Sequence, residues 1–156
     1  MKINTALIQE RVHHFKDRCR QEGLSLTHQR LAVYSRLAAT LEHPTAEELH
    51  TEIHREYPMV SLGTVYKTLD TFEQYGLISK SRSTGEKARY DANTQPHHHL
   101  VCKVCGRMDD LEGFKVGPLK LSKKEDTGFL VEEVRVDFRG ICGPCRGKTK
   151  SGVKTR

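Results

Sequence analysis

Two Cys-x-x-Cys pairs, Cys102 with Cys105 and Cys142 with Cys145, limit what this chain can fold into more than any other feature. Four thiolates arranged as two tight pairs are the donor set of a closed, tetrahedral structural zinc site. The 36 residues between the pairs exceed the loop of a simple zinc ribbon, so a metal held by both pairs must staple a small folded unit. Two disulfides are the competing arrangement. Close-set pairs in a chain without an export signal favour a reducing compartment instead. Residues 1–15 are too polar for a signal peptide, and no apolar run approaches membrane-spanning length, so a soluble, cytoplasmic protein is expected. Cys19 stands apart in a helical stretch and is expected to be a small buried hydrophobe with no further role.

A second donor set of different chemistry crowds the first pair. His97-His98-His99 precedes it and Asp109-Asp110 follows it. Imidazole and carboxylate together suit iron, manganese or zinc at higher coordination number, whereas thiolates favour zinc. Two metals with two tasks are therefore expected. His97 and His99 lie two apart on an extended segment, which puts both imidazoles on one side and His98 on the other.

The net charge of +6 is unevenly spread. Residues 1–91 carry 13 basic and 12 acidic side chains and residues 92–145 eight of each, while residues 146–156 hold five basic side chains and no acid. Bulk charge is thus weak evidence for nucleic-acid binding, and residues 146–156 are expected to form a disordered basic tail.

Residues 1–91 read as helices followed by a hairpin. Leu7, Val12, Phe15 and Cys19 make one apolar stripe; Thr27 can cap a second helix carrying Leu31, Val33, Tyr34 and Leu37. Thr45-Ala46-Glu47-Glu48 fits a capping box for a third helix that stops near Tyr57-Pro58. A fourth, over residues 61–75, has Leu62, Val65, Leu69 and Phe72 on a buried face and Gly76 as its left-handed stop. Its outward residues include Thr64, Tyr66 and Lys67. Two strands around residues 83–86 complete a winged helix-turn-helix, in which the fourth helix would read a major groove. Lys80, Arg82, Lys87 and Arg89 would contact phosphates. A helical adaptor domain with a merely solvated polar face is the alternative.

Residues 92–96 have turn chemistry and are expected to be a hinge. Beyond them, residues 97–145 read as a small α/β unit: short strands at residues 99–102 and 108–111, a short helix at 118–127, and a longer strand at 129–138 with Leu130, Glu132, Val134, Val136 and Phe138 on one face. The fold class expected is α+β. A unit this small is expected to pair with a second copy.

Five motifs taken together resemble one family. They are His43-Pro44-Thr45-Ala46-Glu47-Glu48, Ser61-Leu62-Gly63-Thr64-Val65-Tyr66-Lys67-Thr68-Leu69, Arg89-Tyr90-Asp91, His97-x-His99-x-x-Cys102-x-x-Cys105-Gly106 and Cys142-x-x-Cys145. Over residues 5–146 the chain resembles the Fur family of metal-dependent bacterial repressors. The resemblance implies a homodimer bound to a double-stranded DNA operator, each chain with an N-terminal winged helix and a C-terminal dimerisation domain.

Within that family the peroxide-sensing PerR-type branch holds Fe(II) or Mn(II) with three histidines and two aspartates, matched here by His43, Asp91, His97, His99 and Asp110. Asp110 stands where the iron-responsive branch usually has glutamate. Val134 stands where that branch usually has a metal-binding histidine, beside Glu132 and Glu133 as nearby oxygen donors. The resemblance implies that one cation ties the two domains in a DNA-competent arrangement. It further implies that peroxide converts His43 or His97 to 2-oxo-histidine, which ends repression, while manganese fills the site without sensing. Such a reaction is sacrificial, so the protein is not expected to be an enzyme. An iron- or zinc-responsive repressor of the same fold is the first alternative; a small zinc enzyme is the second and lacks a nucleophile or cleft signature.

Overall fold

The computed structural model describes residues 4–81, 87–111, 130 and 134–149. The chain divides into two compact units, Met1–Thr94 and Gln95–Arg156. Residues 92–94, expected in a hinge, are held by the first unit: Ala92 is buried with its core, and the Ser79 hydroxyl donates to the Asn93 carbonyl.

The first unit begins with four helices, α1 (Thr5–Gln21), α2 (His28–Ala38), α3 (Ala46–Glu56) and α4 (Leu62–Gln74). Each starts at a side chain able to take up an amide that the helix itself leaves unbonded. Asn4, Thr27 and Ser61 cap α1, α2 and α4. At α3 the capping box is complete, with Glu48 N–H donating to Thr45 Oγ1 and Thr45 N–H donating to Glu48 Oε2. Gly76, at φ +60, stops α4 by letting Leu77 N–H reach back to the Phe72 carbonyl.

The apolar stripes converge on one core. Phe15 stacks on Tyr34 with ring centres 3.7 Å apart and meets Phe72 edge-on at 5.0 Å. Val33, Leu37, Leu49, Ile53, Val65 and Leu69 fill the space around them. One expected core residue is displaced: Leu62 is exposed, because it opens the first turn of α4, and Thr68 joins Val65, Leu69 and Phe72 on the buried face. The wing follows as β1 (Ser79–Ser81) and β2 (Arg89–Asp91), antiparallel with Lys80 opposite Tyr90. Arg82 and the turn at residues 83–86 lie outside the described residues.

The second unit holds β3 (His98–Cys102), β4 (Met108–Leu111), β5 (Asp137–Gly140) and α5 (Gly143–Thr149). The sheet order is β4-β3-β5, with β3 antiparallel to β4 and parallel to β5. The strand expected over residues 129–138 is corrected at residues 134–136, which precede the described strand. Asp137 pairs with His99, and the described strand begins there. Residues 134–136 are irregular, and Phe129, Glu132 and Glu133 lie outside the described residues, as does the helix expected at residues 118–127. The tail expected over residues 146–156 is corrected at residues 146–149, and residues 150–156 lie outside the described residues. Arg146 is inside α5, its N–H bonded to the Cys142 carbonyl, so helix persists to Thr149. Among the described residues no helix is long and apolar enough to cross a membrane.

Candidate metal centre

The sheet of the second unit brings the four cysteines together. The turn between β3 and β4 carries Cys102 and Cys105; Cys102 N–H bonds the Arg107 carbonyl, Gly106 N–H bonds the Cys102 carbonyl, and Gly106 takes φ +69, which closes the knuckle. Parallel pairing sets Gly140 beside Cys102, and the chain then turns into α5, presenting Cys142 just ahead of the helix and Cys145 within its first turn. All four sulfurs lie within 4.8 Å of one another, and Cys105 Sγ is 3.7 Å from Cys142 Sγ. That separation is far too long for a disulfide. Zn–S bonds of ~2.3 Å at tetrahedral angles put sulfurs ~3.8 Å apart, so the cluster fits a structural zinc.

The electrostatics of the cluster agree. Burial pushes the Cys102 thiol up, but the amides of Cys142, Cys105 and Val104 aimed at its sulfur outweigh that and bring it down to about 6. The neighbouring sulfur of Cys142, then that of Cys105, pushes Cys145 up to about 12. The Cys102 thiolate is thus readily formed, and Cys145 holds its proton until a cation takes its place.

The nitrogen and oxygen donors fall in two groups, one per unit. In the first unit His43 sits in the connection between α2 and α3 with φ +46, and its Nε2 is 3.4 Å from Asp91 Oδ2. Both residues are buried. Asn93 N–H occupies Asp91 Oδ1 at 2.8 Å, which leaves Oδ2 turned toward the imidazole. In the second unit His97 Nε2 lies 3.1 Å and His99 Nε2 3.9 Å from one atom, Asp110 Oδ1. The β3–β4 ladder sets this by placing His99 opposite Asp110.

Both rings of the second unit are held from behind. His97 Nδ1 donates to the Gln95 carbonyl at 2.7 Å, and His99 Nδ1 faces Asp137 Oδ1 at 3.3 Å. A ring protonated at Nδ1 offers the Nε2 lone pair, the form in which imidazole binds metal. Two lone pairs and a carboxylate oxygen converging at these distances are the chemistry of a borderline divalent-cation site. Asp137 was not among the expected site residues. It lies 38 positions from His99, and only the parallel β3–β5 pairing joins them.

The surface expected to meet DNA is partly rearranged. Tyr66 and Lys67 are exposed on α4, and Thr64 is half-buried with its hydroxyl 3.0 Å from Ser61 Oγ. Lys80, expected to reach phosphate, instead sits 2.7 Å from Glu73 and 3.1 Å from Asp70 with its side chain 10% exposed. Lys87 pairs with Glu47 at 2.8 Å, and Arg89 donates to the His43 carbonyl at 2.8 Å. The acids of α3 and α4 therefore engage the described wing bases within the unit. Glu47 is drawn down to about 2, chiefly by its bond from Lys87.

Fold and donors together define a winged-helix regulator with metal-binding chemistry, and comparison with known proteins agrees. Residues 21–139 match the family model of the ferric uptake regulator family. The peroxide-responsive repressor PerR of Staphylococcus aureus (strain Mu50 / ATCC 700699) is 30% identical over 129 residues, covering 83% of this chain and 87% of the relative. The crystal structure of the Vibrio cholerae ferric uptake regulator Fur is similar with a TM-score of 0.66 and 26% identity, covering 81% of this chain and 98% of that one. A zinc uptake regulator solved in complex with zinc and DNA has the same fold, with a TM-score of 0.63, 20% identity and coverage of 95% and 99%. The chain belongs to the ferric uptake regulator family, whose members are metal-responsive DNA-binding repressors.

Proposed function

We propose that the chain is a homodimeric, cytoplasmic, peroxide-sensing repressor with structural zinc at Cys102, Cys105, Cys142 and Cys145 and a regulatory Fe(II) or Mn(II) held by His43, Asp91, His97, His99 and Asp110. The observation that carries the reading is the donor set. Three imidazoles and two aspartates, without a thiolate, are arranged so that His97 and His99 turn Nε2 to one oxygen of Asp110 and His43 turns Nε2 to Asp91. The similarity to a peroxide-responsive repressor supports the same choice.

Asp91 and Asp110 supply charge, while the contacts of Gln95 and Asp137 at Nδ1 orient the second unit's rings. Fe(II), when bound, supplies the reducing chemistry that activates peroxide. His43 and His97 are the groups placed to be consumed: one oxygen atom of peroxide is inserted at ring carbon and the other leaves as water. The modified ring donates poorly, and the arrangement suited to DNA is lost. Tyr66, Thr64 and Lys67 on α4 read the operator, with Arg82 as a wing contact to phosphate.

The test compares zinc-replete protein loaded with Fe(II) or with Mn(II), each given peroxide in modest excess. The iron form is expected to release a duplex selected from random-sequence DNA and to gain the mass of one oxygen on the peptide carrying His43 or His97; the manganese form does neither. If iron-loaded protein keeps its DNA with both histidines intact, plain iron or zinc sensing replaces this reading. Oxidation of the zinc-site cysteines ahead of the histidines would also sink it.

A further inference from the structure

Three consecutive residues of β2 hold the two residues that lead into α3. Arg89 Nη1 donates to the carbonyl of His43 at 2.8 Å, Tyr90 N–H donates to the carbonyl of Pro44 at 3.1 Å, and Asp91 Oδ2 faces His43 Nε2 at 3.4 Å. Side chains alternate along a strand, so Arg89 and Asp91 share the face turned to His43 while Tyr90 enters the core. One strand therefore grips a single histidine at both its ring and its backbone.

That backbone needs gripping. Among the described residues His43 is the only non-glycine with positive φ. Such a conformation is strained and persists only where the surroundings impose it. The next residue is Pro44, which ordinarily drives its predecessor to extended geometry and adds to the strain. Arg89 is itself braced: its side chain is 16% exposed and lies 3.4 Å from Glu48 Oε2, the oxygen that closes the α3 capping box on Thr45 N–H. The start of α3, Glu48, Arg89 and the His43 carbonyl thus form one connected set of contacts.

We infer that Arg89 is the positioning residue of the regulatory metal site, holding the His43 peptide in its left-handed conformation and so aiming the imidazole beside Asp91. The inference rests on the assignment of His43 and Asp91 as regulatory ligands made above. Arginine suits the task because its rigid, planar guanidinium sets one nitrogen, Nη1, both 2.8 Å from the carbonyl and 3.4 Å from the Glu48 carboxylate, a placement that a lysine ammonium on a flexible stem does not fix. The same contacts withdraw Arg89 from phosphate. Without the guanidinium, the His43 peptide relaxes toward the extended region and the ring swings away from Asp91.

The test is Mn(II) titration of zinc-replete, full-length protein carrying Arg89→Ala, Arg89→Lys, His43→Ala or Arg89→Ala with His43→Ala, alongside the salt dependence of binding to random-sequence duplex DNA. Both Arg89 variants are expected to weaken Mn(II) binding about tenfold or more, the scale typical of contacts that orient metal ligands. Arg89→Lys keeps the charge, so its salt slope stays that of the wild type, and it answers the question if Arg89→Ala does not fold. In the His43→Ala background, Arg89→Ala costs nothing further, because there is no longer a ring to aim. Unchanged Mn(II) affinity in both single variants, with a salt slope reduced by about one phosphate contact in Arg89→Ala, overturns the inference and makes Arg89 a DNA ligand. An equal loss in the His43→Ala background overturns it as a general destabilisation. If His43→Ala itself leaves Mn(II) affinity intact, the ligand assignment fails first, and the inference falls with it.

Discussion

At the scale of single residues, Cys102 has the most concentrated role. It ends β3, is buried, and receives the Cys142 N–H at its sulfur, so its side chain joins both knuckles before any metal is considered. Cys102→Ser is expected to abolish stoichiometric zinc and loosen the second unit, because a closed site cannot be held by three thiolates and an alcohol. Zinc analysis with a thermal melt checks this; one zinc per chain and an unchanged melt would remove the structural-site assignment. Tyr34 offers a second test. Burial pushes its hydroxyl up to about 12, with Arg11 pulling the other way. The folded state keeps this proton longer than the unfolded chain does, so the associated stability is full below pH 10 and falls as pH climbs toward 12. Urea unfolding across that window should show the decline, and Tyr34→Phe should flatten it. The four cysteines and the His97, His99 and Asp110 group stand out in the sequence because each partner sits within a few positions of another or repeats a recognisable spacing. Asp137 and the Arg89 contact to His43 do not, since only strand pairing and a backbone carbonyl create them.

At the scale of elements, α4 joins a face packed in the core to the face proposed to read DNA. Tyr66 is exposed and near neither group of metal ligands in the chain order, so Tyr66→Ala is expected to lower operator affinity by at least several-fold while leaving metal uptake intact. Gel-shift titration and Mn(II) calorimetry on one preparation check this; unaltered operator affinity would mean that the helix does not read DNA. Gly76→Ala forces a side chain into the left-handed region at the end of the same helix and should cost ~1–2 kcal/mol in denaturant unfolding. A loss near zero would mean that the helix end relaxes. Helices α2, α3 and α4 were legible because Thr27, Thr45 and Ser61 are capping residues in place and Gly76 suits the turn that ends α4, whereas α5 carries too short a pattern to stand out. Leu62 misled because periodicity does not tell where along a stripe the packing begins. β5 misled for a different reason: alternation of Val134, Val136 and Phe138 marks residues fit for a strand, but the described ladder begins at Asp137, opposite His99.

At the scale of the whole molecule the two units draw on different sources of stability. The first unit has a continuous apolar core drawn from residues 15–92, whereas the buried apolar residues described in the second are Val101, Cys102, Met108 and Cys145, two of them zinc donors. Chelation of zinc is therefore expected to split calorimetric unfolding into two transitions, with the first unit's melt preserved and the second unit's moved well below it. A single transition that shifts as a whole would contradict this. The wide separation of the cysteine pairs also acts in time. A ribosome adding roughly 5–20 residues per second needs roughly 2–7 s to cover the 36 residues between the knuckles. Throughout that interval Cys102 and Cys105 have only two thiols to offer a metal, and the arrival of Cys142 and Cys145 makes four-coordinate zinc the favoured occupant. The identity of the structural metal is thus settled only after every residue of the first unit has been made.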